Sequence, residues 1–547
     1  MGLCGSRLVP FLPTTVGARW ANRRFKFENL VFEGGGAKSI AYIGVCKVLE
    51  DAGILPQIKR FAGTSAGAIT AALLAIGLTP QEMLQELSAK NLLDVLLDAR
   101  FKALHWIPFA KRLIQVIDVV YNKGACPGRK FMTWFGDILE RHLKKRGLPL
   151  DKDVTFEQLY NILGVELCIV AYNVNYDVEY YFHVKTTPVA TVREAVRMSM
   201  STPVLFQPYE LNSVFTYVDG GLSSNFPLYT FDGWYLSMDQ TSTFHRCLPI
   251  MGETDPVMVS QLFYPEYRKQ RFRPPEPGSD GFFKTLGVLN YSRINREPHQ
   301  HLFEKRLQKL QEVNPDFQNQ RPPTKKERKY FEGFREKKEL TKRGKDSIQS
   351  QMQTIGKIIQ LIFGGIADQT GRVRTTRVQG AGANITVEEA RNRFNEAVND
   401  SDLQRFGLRT KEEAFRRLLL TERGELTDTK ILNIYHNYLP LQNAKMEILG
   451  ERPVSSTKQY YGTLMDYFGS KNQLSREDVG RCIAVDVDYL STMDFDMEAA
   501  DMEFLMKQGV AAATSFLCEY VDREVHAAAA GRPSITLAEE QLYPAIP

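Results

Sequence analysis

Two strand–glycine turn–helix units follow one another near the N-terminus, and no other feature constrains the fold as much. The second is the sharper. Gly63-Thr64-Ser65-Ala66-Gly67 has the G-x-S-x-G form of a nucleophile elbow, in which a tight strand-to-helix turn holds a serine hydroxyl clear of the backbone. The pattern predicts a short strand over 58–62 entering the turn and a small-residue apolar helix over 66–76 leaving it. Glycine on both sides lets strand and helix approach closely and leaves room for a substrate at Ser65. So short a pattern also fits an ordinary loop, and its context carries the reading.

The first unit supplies that context. Asn29-Leu30-Val31-Phe32 reads as a buried strand and runs into Glu33-Gly34-Gly35-Gly36-Ala37-Lys38-Ser39. A helix follows, with Ile40, Ile43, Val48 and Leu49 on its apolar stripe and Gly53 as its stop. A dinucleotide fingerprint needs glycine or alanine where Ser39 stands and an acid at the end of the second strand, where Ala62-Gly63 stands. A phosphate-binding Walker loop needs Gly and Lys adjacent, but Ala37 separates Gly36 from Lys38. Both nucleotide readings fail on spacing. An oxyanion hole remains: backbone N–H groups of Gly34, Gly35, Gly36 and Ala37, at the positive end of a helix, face the carbonyl that Ser65 attacks. Consecutive units of this kind lie side by side, so both turns reach one sheet edge.

Further along, helices are expected over 79–99 and on toward Gly147, with Trp106, Phe109 and Trp134 as core residues. Paired strands are expected over 165–172 and 178–184, a helix over 189–199, and a strand over 214–218 that ends in Asp219-Gly220-Gly221. A carboxylate where a strand becomes a Gly-Gly turn sits at the sheet edge, so Asp219 is the candidate catalytic acid-base group. An unremarkable Asp-Gly turn is the competing reading.

At these residues the chain resembles the patatin-like phospholipases. The resemblance rests on four blocks in the family's order: 33–38 (EGGGAK), 63–67 (GTSAG), 192–203 (VREAVRMSMSTP) and 218–227 (VDGGLSSNFP). The segment 486–496 (DVDYLSTMDFD) looks like the family's closing segment. The resemblance implies a three-layer α/β/α sandwich and a Ser-Asp dyad, with Ser65 the nucleophile and Asp219 the base. It implies that the Gly34, Gly35 and Gly36 loop supplies the oxyanion hole, with Gly63, Gly67, Lys38, Gly220 and Gly221 supporting the motifs, and that no cofactor or metal is needed. Ser39 stands where the family usually has glycine, which opens the turn geometry beyond Lys38 to question. The implied activity is lipid acyl hydrolysis of the phospholipase A or lysophospholipase type on glycerolipid esters. Triacylglycerol lipase or general esterase activity is one alternative, and a catalytically inactive lipid-binding scaffold another. A third rival is an ordinary α/β-hydrolase triad, for which His245, His299 and His301 lie downstream.

Length sets the rest. At 547 residues the chain exceeds one compact core, and two or more domains or one large insertion are expected. The expected division is an N-terminal arm over 1–27, a catalytic core over 28–277, a helical basic insertion over 278–473, a closing segment over 474–522 and a tail over 523–547. Within the insertion, 321–345 is dense in Lys and Arg, which fits either a solvated helix face or contact with anionic lipid. The segment 353–363 is apolar but too short to span a bilayer, and Thr386-Val387-Glu388-Glu389 is a capping box. Seven cysteines without C-x-x-C spacing argue against a disulfide framework or structural zinc. Met1-Gly2-Leu3-Cys4-Gly5-Ser6 fits an acylation motif with Gly2 and Cys4 as acceptors. Arg7, Arg19, Arg23, Arg24 and Lys26 ahead of Glu28 fit a transit peptide instead, and an arm with no address is the third reading. The partners expected are membrane or lipid-droplet glycerolipids met by peripheral contact, not nucleic acid, in the cytoplasm or alternatively in mitochondria.

Overall fold

The computed structural model describes residues 10–89, 123–239, 272, 281–292, 299–331, 387–399, 403, 409–421, 424–425 and 474–529. The chain divides into two units, Met1–Arg328 with Val454–Pro547, and Lys329–Pro453.

The strands of the first unit are β1 (Asn29–Phe32), β2 (Arg60–Thr64), β3 (Gly124–Cys126), β4 (Glu166–Asn173), β5 (Val178–Phe182), β6 (Val204–Phe206), β7 (Tyr209–Leu211), β8 (Phe215–Asp219), β9 (Thr285–Tyr291) and β10 (Cys482–Asp486). Its helices are α1 (Ala41–Asp51), α2 (Ala66–Ala75), α3 (Pro80–Ala89), α4 (Arg129–Lys145), α5 (Phe156–Leu163), α6 (Val192–Ser199) and α7 (Gln300–Val313). The second unit supplies α8 (Val387–Ala397) and α9 (Lys411–Leu419), and the first unit ends on α10 (Ala499–Ala529).

A mixed sheet of eight strands, flanked by helices, runs in the order β10-β9-β1-β2-β4-β8-β7, with β5 also paired to β4. The strands from β10 to β4 are parallel, whereas β5 and β8 are antiparallel to β4. Every residue of β1 and β9 is buried, as continuous apolar runs in the middle of a parallel sheet require. α2 is apolar all round and packs against β1, β2 and β4, so it has no solvent face to make polar.

The register of β4 decides the site. β5 occupies one of its edges. Along the other, β2 covers 166–170 and β8 covers 171–173, so β2 and β8 meet end to end. Thr64 lies opposite Val170 and Asp219 opposite Ala171.

Three expected boundaries need correction. Thr285–Tyr291 lies inside the stretch 278–473 expected to be an insertion, yet it is the central strand between β1 and β10. α7 also belongs to the first unit: Arg306 is buried and donates to the carbonyls of Val479 and Cys482 and to Glu519 of α10. The later part of the expected arm 1–27 is core, because Phe25 and Phe27 are buried against Tyr520, and Phe27 also meets Phe516. α10 runs unbroken past 522, the expected end of the closing segment, into the expected tail. Trp134 is buried against Phe131 and Phe135, whereas Trp106 and Phe109 lie outside the described residues.

In the second unit α8 and α9 pack through Phe394 and Phe415, whose ring centroids are 5.4 Å apart. Thr410 caps α9 by accepting from the Glu413 N–H. Among the described residues no helix is long and apolar enough to cross a membrane.

Candidate active site

Ser65 stands between the last residue of β2 and the first of α2, with φ 54° and ψ −124°. A non-glycine residue adopts such a backbone only when its surroundings impose it. Here they do. A side chain on Gly63 would strike the Gly67 carbonyl, and one on Gly67 would meet the Phe32 carbonyl at 2.7 Å, so strand, turn and β1 are already in contact. The Ser65 N–H donates to Ser199 Oγ at 2.9 Å, and Ser199 Oγ donates in turn to the Val170 carbonyl at 2.5 Å.

Asp219 reaches the same point from the end of β8. Ser65 Oγ donates to Asp219 Oδ2 at 2.8 Å, and Thr202 Oγ1 donates to that same oxygen at 2.7 Å. The Gly221 N–H donates to Oδ1 at 2.8 Å, and Gly220 packs against the Val170 carbonyl. Asp219 is 6% exposed, and among the described residues no Lys or Arg pairs with it. Burial pushes its carboxyl above the usual aspartate range, and the three donated hydrogen bonds only partly offset that.

The glycine loop lies beside the serine: a Cβ built on Gly34 would be 3.1 Å from the Ser65 Cβ. Its four amides are not equivalent, and this corrects the expected hole. The Gly34 N–H is spent on the Asn225 carbonyl and the Ala37 N–H on the Thr492 carbonyl, both at 2.9 Å. The amides of Gly35 and Gly36 donate to no other described residue, so these two are the available donors. Gly36 has φ +53°, and a side chain there would strike the Thr492 carbonyl. Lys38 and Ser39 are buried in the 3-10 turn Gly36–Ile40 that leads into α1, so serine at 39 is accommodated without opening the turn.

A second tier of polar groups holds the loop. Glu33 accepts from the Asn290 N–H at 2.8 Å and from Asn225 Nδ2 at 3.2 Å, and Asn225 Nδ2 also donates to the Gly34 carbonyl at 3.0 Å. Sequence reasoning gave no role to Ser199, Thr202, Asn225, Asn290 or Thr492. The first three lie inside the blocks that carry the family resemblance, and their polar side chains beside Pro203 and Pro227 were the available signal.

Neither of the two described rival histidines joins this site. His299 is half-buried at the head of α7, His301 is exposed and His245 lies outside the described residues. Among the described residues no histidine bonds to Ser65 or Asp219; His183 pairs with Glu166 and His142 with Glu86. Gly2, Cys4 and the segment 353–363 also lie outside the described residues. At the described start of the basic cluster Arg321 pairs with Asp488 at 2.7 Å and Lys326 with Asp494 and Asp496, whereas Lys325, Arg328 and Lys329 are exposed.

Residues 30–232 match the family model described as patatin-like phospholipase. The uncharacterized protein YqhO of Bacillus subtilis (strain 168) is 34% identical over 214 residues, which cover 37% of this chain and 65% of that protein. The probable lipid hydrolase 463L of Invertebrate iridescent virus 6 is 26% identical over 205 residues, covering 37% of this chain and 62% of that protein. The chain thus spans less than two thirds of the length of these relatives. The crystal structure of VipD from Legionella pneumophila aligns over 96% of this chain and 92% of that one at 15% identity, with a TM-score of 0.29, a likeness that carries no argument. The glycine loop, Ser65 and Asp219 thus all lie inside a patatin-like phospholipase domain at residues 30–232.

Proposed function

We propose that the chain hydrolyses carboxylic esters of glycerolipids, in the manner of a phospholipase A or lysophospholipase, with Ser65 as nucleophile and Asp219 as its base. The observation that carries this reading is the 2.8 Å hydrogen bond from Ser65 Oγ to Asp219 Oδ2. Asp219 takes the Ser65 proton as Oγ adds to the ester carbonyl, whose π electrons move onto its oxygen. The Gly35 and Gly36 amides donate to that oxyanion, and one such donor is worth about 2.7–4 kcal/mol of barrier. Collapse re-forms the carbonyl and expels the alcohol, which leaves with the proton held by Asp219. Water then attacks the acyl-Ser65 ester by the same route, releasing the fatty acid and restoring Ser65. A carboxylate is a weak base for a serine hydroxyl, and the burial that raises Asp219 narrows the gap.

Peripheral contact with a lipid surface belongs to the same reading. Its support is an exposed apolar rim: Val174, Tyr176 and Val214 are 49%, 62% and 61% exposed on the β4–β5 and β7–β8 turns. The two turns are joined by Asn175 Oδ1, which accepts from the Thr216 N–H, and by Tyr176 against Phe215. They lie beyond the rung of Ala171 and Asp219 by about 10 Å, at roughly 3.3 Å per strand residue.

One experiment tests both halves, using the full chain with phosphatidylcholine vesicles, a triolein emulsion and a soluble short-chain ester, alongside fluorophosphonate labelling. Wild type is expected to release fatty acid and be labelled, and folded Ser65→Ala to do neither. A triple serine variant of Val174, Tyr176 and Val214 is expected to keep its rate on the soluble ester and lose about tenfold on vesicles, as burying several apolar side chains in lipid implies. Equal turnover by Ser65→Ala sinks the serine reading, and equal vesicle rates sink the rim.

A further inference from the structure

The Thr492 carbonyl is the stop against which the glycine loop rests. It accepts the Ala37 N–H at 2.9 Å, and Gly36, at positive φ, packs so closely on it that no side chain would fit. The position of the Gly35 and Gly36 amides therefore depends on the turn that carries Thr492. That turn follows β10 and is closed on itself: the Ser491 N–H donates to Asp494 Oδ2 at 2.8 Å, and the Asp494 N–H to the Ser491 carbonyl at 3.2 Å.

Asp494 has a second oxygen, and Lys326 takes it. Lys326 Nζ donates to Asp494 Oδ1 at 3.1 Å and to Asp496 Oδ1 at 2.5 Å. The Lys326 and Asp494 side chains are only 16% and 13% exposed, so the pair is shielded from bulk water. The segment just ahead of Lys326 is tied down. Thr324 Oγ1 donates to Asp501 Oδ1 at 2.7 Å, the Lys325 N–H to Glu498 Oε1 at 3.2 Å, and Arg321 to Asp488 at 2.7 Å. Lys326 offsets the repulsion between Asp494 and Asp496, two like charges two residues apart in the turn that carries Thr492, and so favours its closure.

We infer that Lys326 is a positioning residue for the oxyanion loop, acting through the Asp494 turn and the Thr492 carbonyl. The inference rests on the ester-hydrolase reading for its kinetic consequence, but the mechanical link is measurable without turnover. Lys326 lies three residues ahead of Lys329, where the chain passes into the second unit.

The test compares wild type with Lys326→Met, Lys326→Arg and Asp494→Asn by two readouts. By hydrogen exchange, Lys326→Met and Asp494→Asn are expected to speed exchange over 34–40 and leave 29–32 unchanged, with Lys326→Arg like wild type. On the soluble ester, Lys326→Met is expected to lower kcat about tenfold with KM within twofold, because a loosened oxyanion donor acts on the transition state and not on substrate binding. Lys326→Arg is expected to restore kcat. Unchanged exchange over 34–40 in both folded loss-of-charge variants overturns the inference, as does a loss that appears in KM alone. Should Lys326→Met fail to fold, Asp494→Asn is read in its place. If wild type and Ser65→Ala are equally inactive, the hydrolase reading falls while the exchange result still decides the loop.

Discussion

Glu166 opens β4, and Asp219 is registered with Ala171 toward its far end, yet these two buried carboxylates are shifted in opposite directions. Burial pushes Glu166 upward, but His183 and Arg60 outweigh it, and its carboxyl ends below the usual glutamate range. Burial pushes Asp219 upward too, and with only neutral donors facing it the carboxyl stays high. The Glu166 end is braced throughout. Thr285, Asn29, Arg60 and Glu166 form a single rung across four strands, with side-chain hydrogen bonds of 2.9, 3.1 and 2.9 Å between neighbours. Beyond Thr285 the network continues through Asp232 to Arg481 and Asp478. A cavity of about 440 Å³, lined by Arg60, Asp232, Trp234 and Lys284 among others, also opens at this braced end, and neither Ser65 nor Asp219 lines it. The difference teaches that one sheet separates its duties: charges are neutralised where strands begin, and the proposed base and the two unspent loop amides lie where they end.

The two ends also respond to pH with opposite sign. Lowered Glu166 contributes stability that is present above the ordinary glutamate value and lost as pH falls through its lowered one. Raised Asp219 favours folding with its proton on. Its contribution is complete below the ordinary aspartate value and lost as pH rises through the raised one.

The comparison can be broken in three ways. The largest effect belongs to Asp219→Asn, which is expected to lower kcat/KM on the order of 10⁴-fold while leaving the protein folded, by analogy with removal of a charged triad member; a loss under tenfold would mean Asp219 is not the base. Next comes Arg481→Met at the braced end. Arg481 is fully buried between Asp232 at 2.7 Å and Asp478 at 3.0 Å, and leaving two buried acids without their cation is expected to cost about 3–5 kcal/mol in urea unfolding. Turnover by the folded fraction should stay within twofold of wild type, and a kinetic loss larger than the stability loss would dissolve the division of duties. The smallest effect is a shift. Hydrolysis requires ionised Asp219, so kcat/KM is expected to rise with pH around a midpoint above the ordinary aspartate range. Thr202→Val removes a donor to Oδ2 and should move that midpoint further up. A midpoint that does not move separates Thr202 from the titrating group.

Much of the reactive end was legible in the chain because its chemistry is local. Gly63 and Gly67 mark a close approach, Gly36 a left-handed backbone, and Asp219 the end of a strand. What escaped depends on partners far away in sequence. β9 looked like part of an insertion because TLGVLNY is a short apolar run, and its neighbours lie far off in the chain, β1 about 250 residues before it and β10 about 195 after it. The spending of the Gly34 and Ala37 amides was invisible for the same reason, since their acceptors belong to Asn225 and Thr492. Thr202 and Ser199 resemble ordinary polar residues at a helix end, and only the fold turns them toward Asp219 and Ser65.

The end-to-end meeting of β2 and β8 makes β4 a ruler. Ser65 and Asp219 are separated by 154 positions in the chain, yet their spacing is set by one backbone repeat, from Val170 to Ala171. No loop length enters that distance. Residues can be added between β2 and β4, between β4 and β8, or after β9 without altering it, and the entropic toll of a longer connection grows only logarithmically. A single residue gained or lost inside β4 between those rungs would move Ser65 and Asp219 out of register with each other.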